Sequence, residues 1–240
     1  MRKMKALSVD RKFLGMLMVL MSGLFLWPTL AASQNGANAI CTSAGCTTIT
    51  GSTAFIDASV ITGPGGATDV CARINGALTS SYPTTARVID ARGINSGNSN
   101  MTCPPGDTPW VYGTSVTSAN AAILLPPGTI NIQTTWILPN QTRLIGVGRQ
   151  MTRIVWTGTT GGDMIDMCSS ACFGVGVSDL TLAGGGPTVI NNGIVNNNAQ
   201  EETYVDRVNF TLIDGIALEI GSGAGNSGPY SNIVMVIKRA

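Results

Sequence analysis

The chain has 240 residues, enough for one or two domains, and 44% of them are apolar, ample for a core. Only 11% are charged while glycine reaches 30, a balance that suits short strands and tight turns and argues against a helical bundle with solvated Glu and Lys faces. The net charge of +1 argues against tracking a nucleic-acid backbone, and the absence of histidine excludes a Ser-His-Asp triad, a Cys-His dyad and a histidine-ligated zinc site.

Residues 1–12 carry five of the 14 basic residues, and the following 20 residues, Phe13 to Ala32, are uncharged. With Pro28 and the small residues around Ala31 and Ser33, residues 1–33 read as a secretory signal peptide cleaved after Ser33 or Ala32. The alternative is an uncleaved anchor helix of about one membrane span. Cleavage would leave nine basic against twelve acidic residues, a secreted or periplasmic chain, and no further contact with membrane.

Export makes the six cysteines disulfide candidates, for which fifteen pairings exist. Cys41 with Cys46 and Cys168 with Cys172 would close small local loops, leaving Cys71 with Cys103. A zinc reading of the two local pairs is weak, because their spacings are wide and an oxidising compartment favours bridges.

Residues 34–67 form a low-charge linker or cover segment with a strand at AFIDASVI, and residues 68–240 form the body. Thr68 or Asp69 caps a helix over DVCARINGAL whose Val70, Ile74 and Ala77 or Leu78 share one face, an apolar plug suited to the end of an open sheet. The strand ARVIDARG follows, and then a long loop from Ile94 to about Ser118. Trp110 and Tyr112 in that loop either stack on a sugar ring or pin the loop to the body.

From Ala121 to Gly148, three apolar runs, AILLP, TWILP and RLIGVG, lie between Pro-Pro-Gly-Thr and Pro-Asn-Gln-Thr turns, which predicts three short strands. GVSDLTL, YVDRVNF and YSNIVMV then repeat one pattern, placing Asp179, Asp206 and Asn232 about 26 residues apart. A second series, MIDM, IVNN and ALEI, interleaves with it. Such a period predicts a three-sided parallel β-solenoid, whereas an antiparallel sandwich gives no reason for a sustained phase.

Aligning the second series puts Asp166, Asn196 and Glu219 in one column. If that column faces outward, Asp166 and Glu219 are two rungs, about 10 Å, apart, near the upper limit for an inverting carboxylate pair. With help from loops the three could instead hold a calcium ion, and the plainest reading is a solvated polar face. Asp179, Asp206 and Asn232 read as a turn ladder, since Asp and Asn tolerate left-handed backbone. Arg207 is a further contact for an anionic sugar, or simply surface. GVGR and GSGAG have no helix pattern after them and read as tight turns.

The helix VCARINGAL, the strand VIDARG, ILLPPGTINI with WILPNQTRLIGVGR, and the recurrent Asp-x-Val/Leu coils together resemble the pectin-lyase-like superfamily, in particular its secreted bacterial members. The resemblance covers roughly Asp69 to Ile237. It implies an all-β, right-handed, single-stranded parallel β-helix with an N-terminal capping helix. It further implies a polysaccharide lyase or glycoside hydrolase acting on acidic polysaccharide such as pectin. The alternative is a non-catalytic extracellular scaffold or adhesin that binds glycans. The Asn-Thr-Asp, Asp-Asp, Gly-His-Gly and Arg-x-Pro-x-x-Arg elements expected of its enzymes do not occur. The sequence stops on a strand, which reads as further coils missing, or as an open end covered by a partner such as a second copy.

Overall fold

The computed structural model describes residues 39–42, 45–48, 54–62, 66–79, 87–94, 100–116, 118–186 and 188–236, so the proposed signal peptide lies outside the described residues. No helix among these residues is long and apolar enough to cross a membrane.

An antiparallel hairpin, β1 (Ala39–Thr42) and β2 (Gly45–Thr48), sets the backbone of Cys41 opposite Cys46. A bond between those two lies outside the described side chains. β3 (Ala54–Asp57) runs into a single 3-10 turn, Ala58–Val60, whose start is tied by the Asp57 carboxylate accepting from the Ser59 N–H. The one described α-helix, α1 (Val70–Thr79), is capped by Asp69, whose Oδ1 accepts from the Ala72 N–H at 2.9 Å. Both Ala77 and Leu78 share the buried face with Val70, Cys71 and Ile74.

β4 (Arg87–Asp90) and β5 (Asn100–Thr102) precede a small hairpin of β6 (Val111–Tyr112) and β7 (Thr114–Ser115). Then come β8 (Ser118–Leu124), β9 (Gly128–Ile132), β10 (Trp136–Ile137), β11 (Asn140–Ile145), β12 (Thr152–Trp156) and β13 (Gly162–Asp166). The rest of the body is β14 (Gly176–Ala183), β15 (Asn191–Asn196), β16 (Tyr204–Thr211), β17 (Leu218–Ile220), β18 (Tyr230–Ser231) and β19 (Val234–Val236).

These strands pair in parallel as three columns. The first stacks β3, β4, β8, β11, the first half of β14, the first half of β16, and β18. The second stacks β5, β9, β12, the second halves of β14 and β16, and β19. The third is β10, β13, β15 and β17. The fold is therefore all-β and solenoid-like, a curled and mostly parallel sheet that the chain revisits in the order first, second, third column.

In each column one position in register is buried from rung to rung. Ile56, Ile89, Ile123, Leu144, Val177 and Val205 line up in the first, Met101, Ile130, Ile154, Leu182 and Phe210 in the second, and Trp136, Ile165 and Ile194 in the third. Burying a side chain of this size stabilises by roughly 1.5–3 kcal/mol, and no single rung completes its own core. Disulfides join Cys71 to Cys103 and Cys168 to Cys172.

Four details differ from the sequence reading, the first being that the stretch expected as a long loop from Ile94 to about Ser118 holds β5, a member of the second column, and the β6–β7 hairpin. GTINI, of which the sequence reading places Gly128 and Thr129 in a turn and leaves the rest unassigned, is the strand β9, so residues 118–145 hold four strands, the last of which opens the next coil. β3, placed in a linker or cover segment, is a member of the first column. The residue that turns the corner between first and second columns is Arg207, not Asp206, because Ser178 pairs with Asp206 and Ser231. Asp179, Arg207 and Asn232 all have φ between 52° and 60° there. Left-handed backbone at an arginine costs about 1–2 kcal/mol, offset by a two-pronged grip of its guanidinium on Asp179 at 2.5 and 2.8 Å and by an ion pair with Asp206.

Candidate functional site

Two outer faces carry chemistry. On the third column, Ile137, Asp166, Val195 and Glu219 stand in register in one row, in which Ile137 is exposed, Asp166 and Glu219 are partly buried and Val195 is covered. Asp166 and Glu219 are therefore two rungs apart, on the order of 10 Å. Asn196, aligned with them from sequence, sits one position further along and pairs with Ile220. Ile194 and Val195 are both apolar, so the sequence alone permits a slip of one residue, which turns a side chain to the opposite face. Asn196 is fully buried, and its amide donates to the Ala199 carbonyl at 3.2 Å and to the Tyr230 hydroxyl at 2.8 Å. Those bonds tie together two successive coils, and no surface is left for a ligand.

Asp166 is half-buried, and its Oδ1 lies inside without a hydrogen-bond partner among the described residues. Burial first, and the negative charge of Asp163 second, push its carboxyl up to about 6. Asp163 itself accepts from the Asn192 amide at 2.8 Å, and Asn192 Oδ1 accepts from the Ile216 N–H. This polar ladder holds three coils in line beside Asp166.

The raised carboxyl fixes the sign of a pH effect. The folded protein binds this proton more tightly than an unfolded chain titrating at 3.8, so the contribution to stability is fully present below 3.8 and is lost as pH rises through about 6. Asp166→Asn is expected to raise stability well above pH 6 by about 1–2 kcal/mol, the full linkage being reduced by partial solvent access. Thermal midpoints recorded across this range should show a flatter pH dependence in the variant; an unchanged profile would remove Asp166 from the explanation.

The second column carries the other face. In coils built on β14 and β16 the corner into this column is a single residue, but between β11 and β12 it is the six-residue loop 146–151. Gly146 is obligatory, since a Cβ there would lie 2.2 Å from the Asp179 carbonyl. The Gly148 N–H donates to that same carbonyl, Val147 N–H donates to Thr152 Oγ1, and Thr152 Oγ1 donates to the Pro126 carbonyl. Thr181 Oγ1 donates to the Arg149 carbonyl, so the loop is pinned across the next coil. Between it and the sheet lies an open groove of about 400 Å³ lined by Arg149, Gln150, Arg153, Thr181, Asn209 and Thr211 among others. Sequence reasoning missed these residues. The available signals were the basic residue in GVGR and the polar positions Thr181 and Asn209, which pair in register with Arg153.

Trp110 is 1% exposed and meets the Trp136 ring edge-to-face at 6.0 Å, so it pins its loop to the body. Tyr112 donates its hydroxyl to Asp69 Oδ2 at 3.1 Å, fastening the same loop to the helix cap. Arg207 is exposed but engaged by Asp179 and Asp206. Among the described residues no three Cys, Asp or Glu side chains gather as a metal set. Searches with the chain matched no protein family, no curated protein and no solved structure.

Proposed function

We propose that the three columns wind as a right-handed parallel β-helix and that the protein is exported to act on an acidic polysaccharide such as pectin, as a lyase or glycoside hydrolase. Nearly all crossovers between parallel strands of one sheet are right-handed, which supports the hand. Two disulfides fit an oxidising compartment. The observation that carries the activity is the row on the third column, where the partly buried Asp166, with its carboxyl near 6, stands in register with the partly buried Glu219 two rungs away. A carboxyl that keeps its proton near neutrality can protonate a leaving sugar oxygen, while a second at this wider spacing can activate water on the opposite side, the inverting arrangement.

The test is turnover on a panel of acidic and neutral polysaccharides. New reducing ends, lost at least about a hundredfold in Asp166→Asn and falling as pH rises through about 6, are expected of a hydrolase that uses Asp166 as acid. Unsaturated products that absorb in the ultraviolet would instead mark lyase chemistry. Full activity in Asp166→Asn would sink the acidic row.

A non-catalytic glycan-binding scaffold is the second reading. It is favoured by Phe173, 46% exposed beside Gln200 and Glu201 in a hollow of about 290 Å³, a flat apolar ring with polar neighbours on which a sugar can stack. Binding of a glycan without turnover on any panel member would select it.

A further inference from the structure

We propose that the groove on the outer face of the second column is a separate binding site for an oxyanion group, a carboxylate or a sulfate ester, carried on a glycan, with Arg149 and Arg153 as its cationic contacts. The glycan carrier rests on the carbohydrate reading above; the anion preference rests on the groove itself.

Four observations converge on it. The groove's lining contains two guanidinium groups and no carboxylate. Arg153 projects from β12 into solvent and makes no ion pair among the described residues, and Arg149 reaches only the Asn232 carbonyl, at 3.4 Å. The nearest acids along the adjoining corner are already engaged. Asp179 is held below the usual carboxylate range chiefly by its hydrogen bonds from Arg207, and Asp206 by those from Asn232 and Ser231. Finally, Asn209 lines the same groove; its Oδ1 is buried without a hydrogen-bond partner among the described residues and, as an acceptor, offers nothing to an anion, so the group it can offer a ligand is its NH2.

The arrangement is built rather than incidental to a loose surface. The main chain of loop 146–151 is fastened within the loop, by the Gly148 N–H to the Asp179 carbonyl, and just past it, by Thr152 to the Pro126 carbonyl, so the Arg149 backbone is held over the sheet and only its side chain is ordered on binding. Arg153, Thr181 and Asn209 stand on successive rungs of one row, about 4.8 Å apart; the Thr181 hydroxyl is committed to the Arg149 carbonyl, so a ligand lying along the column would meet the Arg153 guanidinium and, two rungs on, the Asn209 amide. Guanidinium forks bind carboxylate and sulfate alike, which is why the geometry selects the oxyanion and not its carrier.

Calorimetric titration of the full chain with an oligogalacturonate, a sulfated oligosaccharide and a neutral cello-oligosaccharide tests the site. At least one anionic ligand should bind and the neutral one should not, with affinity falling as salt is added. Arg149→Gln with Arg153→Gln should weaken that binding by about tenfold or more, and Arg153→Gln alone, at an exposed side chain with no internal bond, should weaken it in the same direction. Binding of the uronate alone identifies a carboxylate, binding of the sulfated ligand alone a sulfate ester, and binding of both an unselective oxyanion site. Equal affinity in wild type and the double variant, or no anionic binding at all, would overturn the proposal. Asp166→Asn should bind as wild type does, so loss of turnover and loss of this site are read separately.

Discussion

Trp136→Ala is expected to destabilise the protein by about 3–5 kcal/mol, one of the two largest losses that a substitution in this chain should produce. Trp136 is fully buried although its strand β10 is only two residues long, and its partner in register, Ile165, is fully buried as well. Its ring meets Trp110 at 84°, so it closes the third column at the coil where the segment leading into the β6–β7 hairpin folds back. Truncation leaves a void that flanking β-strands, held by neighbours above and below, cannot collapse to fill. Urea denaturation should show the shift in midpoint, and the thermal midpoint should fall by about 6–20 °C. Trp110→Ala combined with Trp136→Ala should cost less than the two separate losses added, because each ring is the other's packing partner. A loss below about 1 kcal/mol for Trp136→Ala would mean that the coil closes without this contact.

The second large effect concerns the Cys71–Cys103 bridge, which ties α1 to the segment after β5 across a sequence separation of 32. Chain-entropy reasoning gives a stabilisation of about 3.5–4 kcal/mol for a loop of that length, against about 2 kcal/mol for the Cys168–Cys172 bridge with its separation of 4. The paired substitution Cys71→Ala with Cys103→Ala should therefore cost clearly more than Cys168→Ala with Cys172→Ala, each measured by urea denaturation. The loss should be concentrated at the N-terminal end, because α1 keeps its Asp69 cap and the bond from Tyr112 but loses the disulfide that fastens it to the segment after β5. Faster amide exchange in residues 70–79 than in β14 would locate it there. If the two double variants lost equal stability, the longer bridge would be closing a loop already ordered in the unfolded chain.

Much of this architecture was legible before any coordinates. The apolar alternation in GVSDLTL and YVDRVNF marks residues that stack in register as Val177 with Val205 and Leu182 with Phe210. The capped helix was readable because Asp69 precedes residues whose apolar spacing fits one helical face. GTINI was not recognised as strand, since its flanking Pro-Pro-Gly reads as turn and only the pairing of Ile130 with Met101 and Ile154 makes it one. The corner residue was misassigned for a similar reason. Asp206 has the better intrinsic tolerance of left-handed backbone, but two carboxylates placed around Arg207 outweigh that preference.

What the sequence by itself determined is the inward half of the molecule: export-like ends aside, its alternation, its turn residues and its spacing of about 26 residues specify stacked short strands around an apolar core. Burial is a property of each residue's pattern, so it can be read locally. Only the tertiary structure decided what the outward half presents. Asp166 and Glu219 share a row while Asn196 leaves it for the interior, because register is fixed by the pairing of whole coils and a slip of one position reverses a side chain. The groove of Arg149, Arg153 and Asn209 exists because a six-residue loop from one coil lies across the next two, joining residues that are up to 60 positions apart in the chain.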